Sequence, residues 1–119
     1  MSIETKRAYE PASPDDGYRV LIDRLWPRGV SKADARIDEW VHALAPSDQL
    51  RRWYGHQPER FDDFRHRYIE ELRQHADEIA DLQRRARGGT VTLVYAARDS
   101  EHSNAAVLAS IVRDGFPQD

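Results

Sequence analysis

The sequence predicts a small α/β fold: a mostly parallel sheet with helices on its faces, in a single domain. Three observations carry that expectation. Two apolar runs, Val20-Leu21-Ile22 and the stretch Thr90 to Ala97, have the uninterrupted character of strands covered on both sides. Between them Phe61, Phe64, Tyr68, Leu72, Ile79, Leu82 and Ala86 recur at helical spacings and build one apolar stripe. A last amphipathic segment, marked by Val107, Leu108, Ile111 and Val112, follows the second run. Strands therefore alternate with helices, for which a parallel sheet is the economical arrangement.

The elements follow in order. Ile3 to Tyr9 alternates as a strand, and Pro11, Ser13, Pro14, Asp15, Asp16 and Gly17 then form a turn cluster. A second strand is expected over Arg19 to Trp26, stopped by Pro27. Residues 37–44 suit either a helix, through Ile37, Trp40, Val41 and Leu44, or a short strand halted before Pro46. Ser47 has the character of an N-cap for a helix running through Tyr54 and ended by Gly55. Pro58 suits a first helical position and Gly88 a helix stop, with a break expected at Gln74 to Ala76 because one unbroken helix would outgrow so small a fold. Thr90 to Ala97 is the next strand, and the final helix begins near Ser103 and stops at Gly115. Val20-Leu21-Ile22 and Thr90 to Ala97 are expected to be the central parallel pair.

At 119 residues the chain suits one domain, residues 1–119, with one core. A chain of this size removes roughly two thirds of its unfolded surface from water, enough to fold without a metal or disulfide staple. The absence of Cys excludes disulfides, thiolate nucleophiles and Cys-ligated metal, so any chemistry uses oxygen and nitrogen groups. The first ten residues carry Glu4, Lys6, Arg7 and Glu10 and have no signal-like apolar run, from which a cytoplasmic location is expected. No apolar run approaches a membrane span, and no cofactor is called for. A net charge of −3 makes nucleic acid an improbable partner while allowing a local basic pocket.

In parallel sheets ligands bind at the carboxyl ends of the strands, so the loops after residues 24 and 97 are expected to share one edge. The first loop holds Asp23, Arg24, Trp26, Pro27, Arg28, Gly29 and Lys32, one carboxylate beside three cations. Arginine forks suit carboxylate or phosphate recognition, although Arg24 could equally serve a neighbouring acid and Trp26 the core. The second loop holds Arg98, Asp99, Ser100, Glu101, His102, Ser103 and Asn104 and leads into the last helix. Asp99 and His102 could form a carboxylate-oriented imidazole, or Asp99 or Ser100 could simply cap that helix. A third cluster, Arg51, Arg52, Trp53, Tyr54 and His56, offers Arg51 and His56 as candidates, with Trp53 read as core. His42, His56, His66, His75 and His102 form no close ligand pair, so no metal site is expected, and no Gly-rich phosphate fingerprint or GxSxG elbow occurs.

Together DGYR at Asp16 to Arg19, DRLWPRGVSK at Asp23 to Lys32, APS at Ala45 to Ser47, LRRWYGH at Leu50 to His56, FRHRY at Phe64 to Tyr68 and TLVYAARDSEH at Thr92 to His102 closely resemble one family. It is the short, YeaO-like branch of the family catalogued as domain of unknown function 488, DUF488. The resemblance covers about Ile3 to Leu108 and implies one compact bacterial cytoplasmic α/β domain with a strand near Trp40. It supplies no agreed activity. Its motif positions fall on Asp23, Arg24, Trp26, Arg28, Lys32, Arg51, His56, Arg98, Asp99, His102 and Asn104, whereas Ser103 stands where the family often has Asn, which argues against a role for that side chain.

The leading expectation is a site for a small anionic ligand. Arg24, Arg28 and Arg98 would hold it, helped by Lys32, Arg51, His56 and Asn104, with Asp23, Asp99 and His102 in acid–base or orienting roles. The rivals are a nucleic-acid-associated protein using Arg51, Arg52 and Trp53, and a non-catalytic module that self-associates through a helix face or the edge strand near residue 5. Whether the site is catalytic, and the oligomeric state, stay open. One geometric expectation is sharp: Arg24 and Arg98 approach a shared cleft, with Asp23, Asp99 or a bound anion between them.

Overall fold

The chain enters the fold through strand β1 (Ser2–Arg7), in a computed structural model that describes residues 1–118. The turn cluster becomes a single 3-10 turn, Pro14–Asp16, closed by Ser13: its amide donates to Asp16 Oδ2 at 2.9 Å and its hydroxyl accepts from the Asp15 amide. Gly17 follows at φ +64°, and a Cβ there would collide with the Thr90 carbonyl, so the tight entry into β2 (Tyr18–Leu21) requires glycine. Then come α1 (Lys32–Ala35), β3 (Glu39–Trp40), α2 (Asp48–Tyr54), α3 (Phe61–Arg73), α4 (Ala76–Gly88), β4 (Thr90–Tyr95) and α5 (Asn104–Asp114).

The sheet order is β1-β4-β2-β3, and every pairing is parallel. The two expected central strands are central, and all four strands end on one edge. β4 is buried almost end to end because its alternate residues serve two cores. Val91, Leu93 and Tyr95 join Val20 against Tyr68, Leu72, Ile79, Leu108 and Ile111 from the helices. Val94 joins Leu21 and Ala8 beneath Trp26, Ile37 and Trp40.

The helices are shared unequally between the faces. The four longer ones, α2 to α5, contribute to the larger core. The other face is covered by loops, β3 and the single turn of α1. That face carries polar residues: buried Arg19 sends its Nε–H to the Ala35 carbonyl at 2.9 Å and its Nη1 to Asp16 at 2.6 Å, while Lys6 closes on the same carboxylate at 3.1 Å. A segment that must supply charged and carbonyl partners has no continuous apolar stripe with which to form a long helix.

The expected break separates α3 from α4 at Gln74 and His75. Ser47 caps α2, its hydroxyl accepting from the Leu50 amide at 3.1 Å, and Gly55 ends it at φ 54°. Several boundaries differ from expectation, and β1 and β4 each stop two residues early. Pro58 opens a 3-10 turn, Pro58–Arg60, ahead of α3. The strand expected over Arg19 to Trp26 ends at Leu21, and residues 37–44 give two strand residues followed by a 3-10 turn, His42–Leu44. The early end of β2 is where the candidate site begins.

Candidate functional site

Between β2 and β4 the last regular ladder bond runs from the Ile22 amide to the Val94 carbonyl, 3.1 Å. In a parallel ladder the next would join the Ala96 amide to the Ile22 carbonyl. Side chains take both groups instead. The Ala96 amide donates to Asp23 Oδ2 at 2.9 Å, and the Ile22 carbonyl accepts from Asn104 Nδ2 at 3.2 Å. Asn104 also donates to Asp23 Oδ1 at 3.0 Å, so one carboxylate and one amide splay the two central strands and pin the start of α5 between them. The Asp23 carbonyl accepts the Trp40 indole N–H at 2.7 Å, which fixes β3 to the same point.

The opening so formed is a cavity of about 710 Å³ at the carboxyl ends of the strands. It lies within the range of about 300–1,000 Å³ that small-molecule sites occupy. Asp23 lies on its wall. Burial pushes the Asp23 carboxyl up from its ordinary value, against the opposing influence of the Asn104 and Ala96 hydrogen bonds and the nearby Arg51 guanidinium.

Arg24, Arg28, Arg51 and Arg98 all line this cavity. Arg24 and Arg98, 74 positions apart, therefore face one cleft that also contains Asp23 and Asp99. The four arginines are not equivalent. Arg24 Nε lies 3.4 Å from the Pro46 carbonyl and 3.7 Å from Asp48, and Arg51 lies 3.1 Å from the same Asp48 carboxylate. Arg52 approaches the other Asp48 oxygen at 3.7 Å. The Arg51 hydrogen bond, ahead of the surrounding positive charge, holds the Asp48 carboxyl below its ordinary value. Arg28 and Arg98 are exposed and have no side-chain hydrogen bond or ion pair among the described residues.

The opposite wall comes from the Arg98 to Asn104 loop. Asp99 Oδ1 accepts from the Glu101 and His102 amides, each at 3.1 Å, and Asp99 Oδ2 lies 2.7 Å from His102 Nδ1. The imidazole is thus held by a carboxylate, and its hydrogen bond keeps the Asp99 carboxyl low. Phe61 meets the His102 ring edge-on at 5.1 Å, and the Tyr54 hydroxyl donates to the His102 carbonyl at 2.7 Å. Neither Asp99 nor Ser100 caps α5. Buried Ser103 does, accepting from the Ala106 amide at 3.1 Å while donating to the Ser100 carbonyl, so the residue that departs from the family pattern has a structural task. His56, also on the cavity wall, has φ 56°, a left-handed conformation uncommon outside glycine.

Nine of the ten residues singled out from the sequence therefore border one cavity: Asp23, Arg24, Arg28, Arg51, His56, Arg98, Asp99, His102 and Asn104. Lys32 does not. It is the first residue of α1, because Ser31 caps that turn and draws Lys32 into it. Trp53 packs against the larger core, as expected, with the Arg67 and Arg60 guanidinium groups 4.3 and 5.4 Å from its ring centre. No group of three or more metal-ligating side chains occurs among the described residues. Tyr9, Leu25, Tyr54 and Phe64 also line the cavity and were not singled out. Only an exposed apolar residue beside a basic loop could have signalled Leu25; Tyr54 and Phe64 have the same pattern as core. A second cavity of about 330 Å³ borders Lys6 and Asp16, whose charges are already matched internally.

A family model described as the inactive DUF488-N3 subclade matches residues 2–119. Among curated proteins, Rv3073c of Mycobacterium tuberculosis H37Rv is 48% identical over 110 residues, 92% of each chain. The YeaO protein of Escherichia coli K12 is 42% identical over 113 residues, which is 95% of this chain and 98% of its own. No solved structure gives a significant match.

Proposed function

The chain belongs to the DUF488 family, within the subclade described as inactive, and on that premise we propose that it binds a small anionic molecule at the carboxyl ends of its strands. One observation carries this reading: four arginines border a single cavity, and two of them, Arg28 and Arg98, have no counter-ion among the described residues. Like charges gathered at one opening repel unless something negative joins them, and guanidinium forks match carboxylate and phosphate oxygens in geometry. The description of the subclade as inactive supports binding without turnover. In that reading the Asp99–His102 pair contacts and orients the ligand, and Asp23 with Asn104 holds the walls apart.

Isothermal titration against a panel of phosphates, sulfates and carboxylates at low salt tests the proposal. Saturable binding that weakens with salt and is lost in Arg98→Ala supports it. No binding by any anion at millimolar concentration refutes it.

A further inference from the structure

The exposed apolar residues indicate what the ligand carries besides its charge. Three large hydrophobic side chains stand well out of the protein: Met1, Tyr9 at 48% exposure and Leu25 at 63%. Two of these, Tyr9 and Leu25, border the arginine-lined cavity. Scattered single exposures are ordinary, but two at the mouth of one cavity call for a partner surface.

Their placement follows from the strand order. Tyr9 follows β1, Arg98 follows β4, and Leu25 and Arg28 follow β2, so the order β1-β4-β2 sets them in that sequence along one rim. Bonds beyond the strand ends keep that alignment: the Ala8 amide donates to the Tyr95 carbonyl at 2.7 Å, and Arg7 Nε donates to the Ala97 carbonyl at 2.9 Å. The Arg7 guanidinium lies 5.1 Å from the Tyr9 ring centre. The rim thus carries apolar and cationic groups together. Two of the cavity's arginines on this rim, Arg28 and Arg98, have no counter-ion among the described residues.

Resting on the anion-binding reading, we propose that the ligand is a phosphate monoester of an apolar ring, with its phosphate between Arg28 and Arg98 and its ring against Tyr9 and Leu25. Two bidentate guanidinium forks would take up all of the roughly four acceptor sites of a carboxylate, whereas the three terminal oxygens of a phosphate monoester can serve both forks and keep acceptors to spare. A bare inorganic anion would leave most of the cavity of about 710 Å³ and both apolar side chains unused. A ring laid across Tyr9 and Leu25 removes apolar surface from water on both partners.

Three probes decide the matter by titration calorimetry: phenyl phosphate, inorganic phosphate and benzoate. Phenyl phosphate is expected to bind about tenfold more tightly than either of the others, a difference of ~1.4 kcal/mol. Tyr9→Ala and Leu25→Ala should reduce that advantage over inorganic phosphate while leaving inorganic phosphate itself unchanged. Arg28→Ala and Arg98→Ala should weaken both phosphates. Equal binding of all three probes, or a phenyl phosphate advantage that survives in the Tyr9→Ala, Leu25→Ala double variant, overturns the ligand class but leaves anion binding standing. Failure of all three probes overturns both.

Discussion

Removing the Asp16 carboxylate should destabilise the protein more than its position in a surface turn suggests. Arg19 is 4% exposed and Asp16 10%, and they meet at 2.6 Å. Asp16→Ala leaves a buried guanidinium whose remaining protein partner is the Ala35 carbonyl, because Nη2 already has none. Breaking a buried pair by deleting one member costs about 3–5 kcal/mol, a large part of the ~5–15 kcal/mol that holds a domain together. Replacing both members avoids the orphaned charge, so Asp16→Ala with Arg19→Met should be closer to the wild type than Asp16→Ala alone.

Urea unfolding at neutral pH measures all three variants. A loss below about 1 kcal/mol in Asp16→Ala, or strictly additive losses in the double variant, would refute the reasoning. The pH dependence gives a second reading. Burial raises the Asp16 carboxyl, but the Ser13 amide, Lys6 and Arg19 more than offset that and hold it below its ordinary 3.8. A depressed folded-state value contributes stability that is present above about 3.8 and lost as the pH falls through the lower value. Asp16→Ala should therefore lack that part of the acid limb.

Asp48→Asn should tighten phosphate binding by about threefold, since Arg24 and Arg51 lose their internal competitor; unchanged or weaker binding in calorimetry would count against it. Tyr54→Phe should cost about 1 kcal/mol by leaving the His102 carbonyl without its donor, read as a lower urea midpoint. His102→Ala should return the Asp99 carboxyl towards its ordinary value, visible as an upward shift in a carbon-13 NMR titration of that side chain. Gly17→Ala should destabilise by about 2 kcal/mol or more, because positive φ and the Thr90 carbonyl both oppose a Cβ, and a neutral result would show that the turn can relax.

Much of this architecture was legible in short stretches of sequence. Val20-Leu21-Ile22 and Thr90 to Ala97 announced the central pair because strands buried on two faces cannot alternate in polarity. Parallel pairing then brought Arg24 and Arg98 together without any sequence proximity. What was not legible depended on pairing between distant side chains. The early end of β2 follows from Asn104, 82 positions beyond Ile22, whose amide takes the carbonyl that the ladder would have used. Lys32 looked like part of a basic loop until Ser31 capped it into α1. Tyr54 and Phe64 share the helical periodicity of the core and belong to it, yet they also border the cavity.

Asp23 and Asp48 illustrate why carboxylates near an arginine cluster need separate treatment. Asp48 is exposed, lies within 3.1–3.7 Å of three arginines and is held low by them, so it is their internal counter-ion. Asp23 is pushed up by burial and has each oxygen tied to a donor on a different element, the Ala96 amide after β4 and the Asn104 amide at the start of α5. Neutralising Asp48 therefore changes the charge of the cavity while leaving its walls in place. Neutralising Asp23 as Asn keeps the size but turns one acceptor into a donor that faces another donor. The splay between β2 and β4 would then lose one of its two supports. On the anion-binding proposal, the first carboxylate tunes the charge beside the opening, and the second ties together the strand ends that border it.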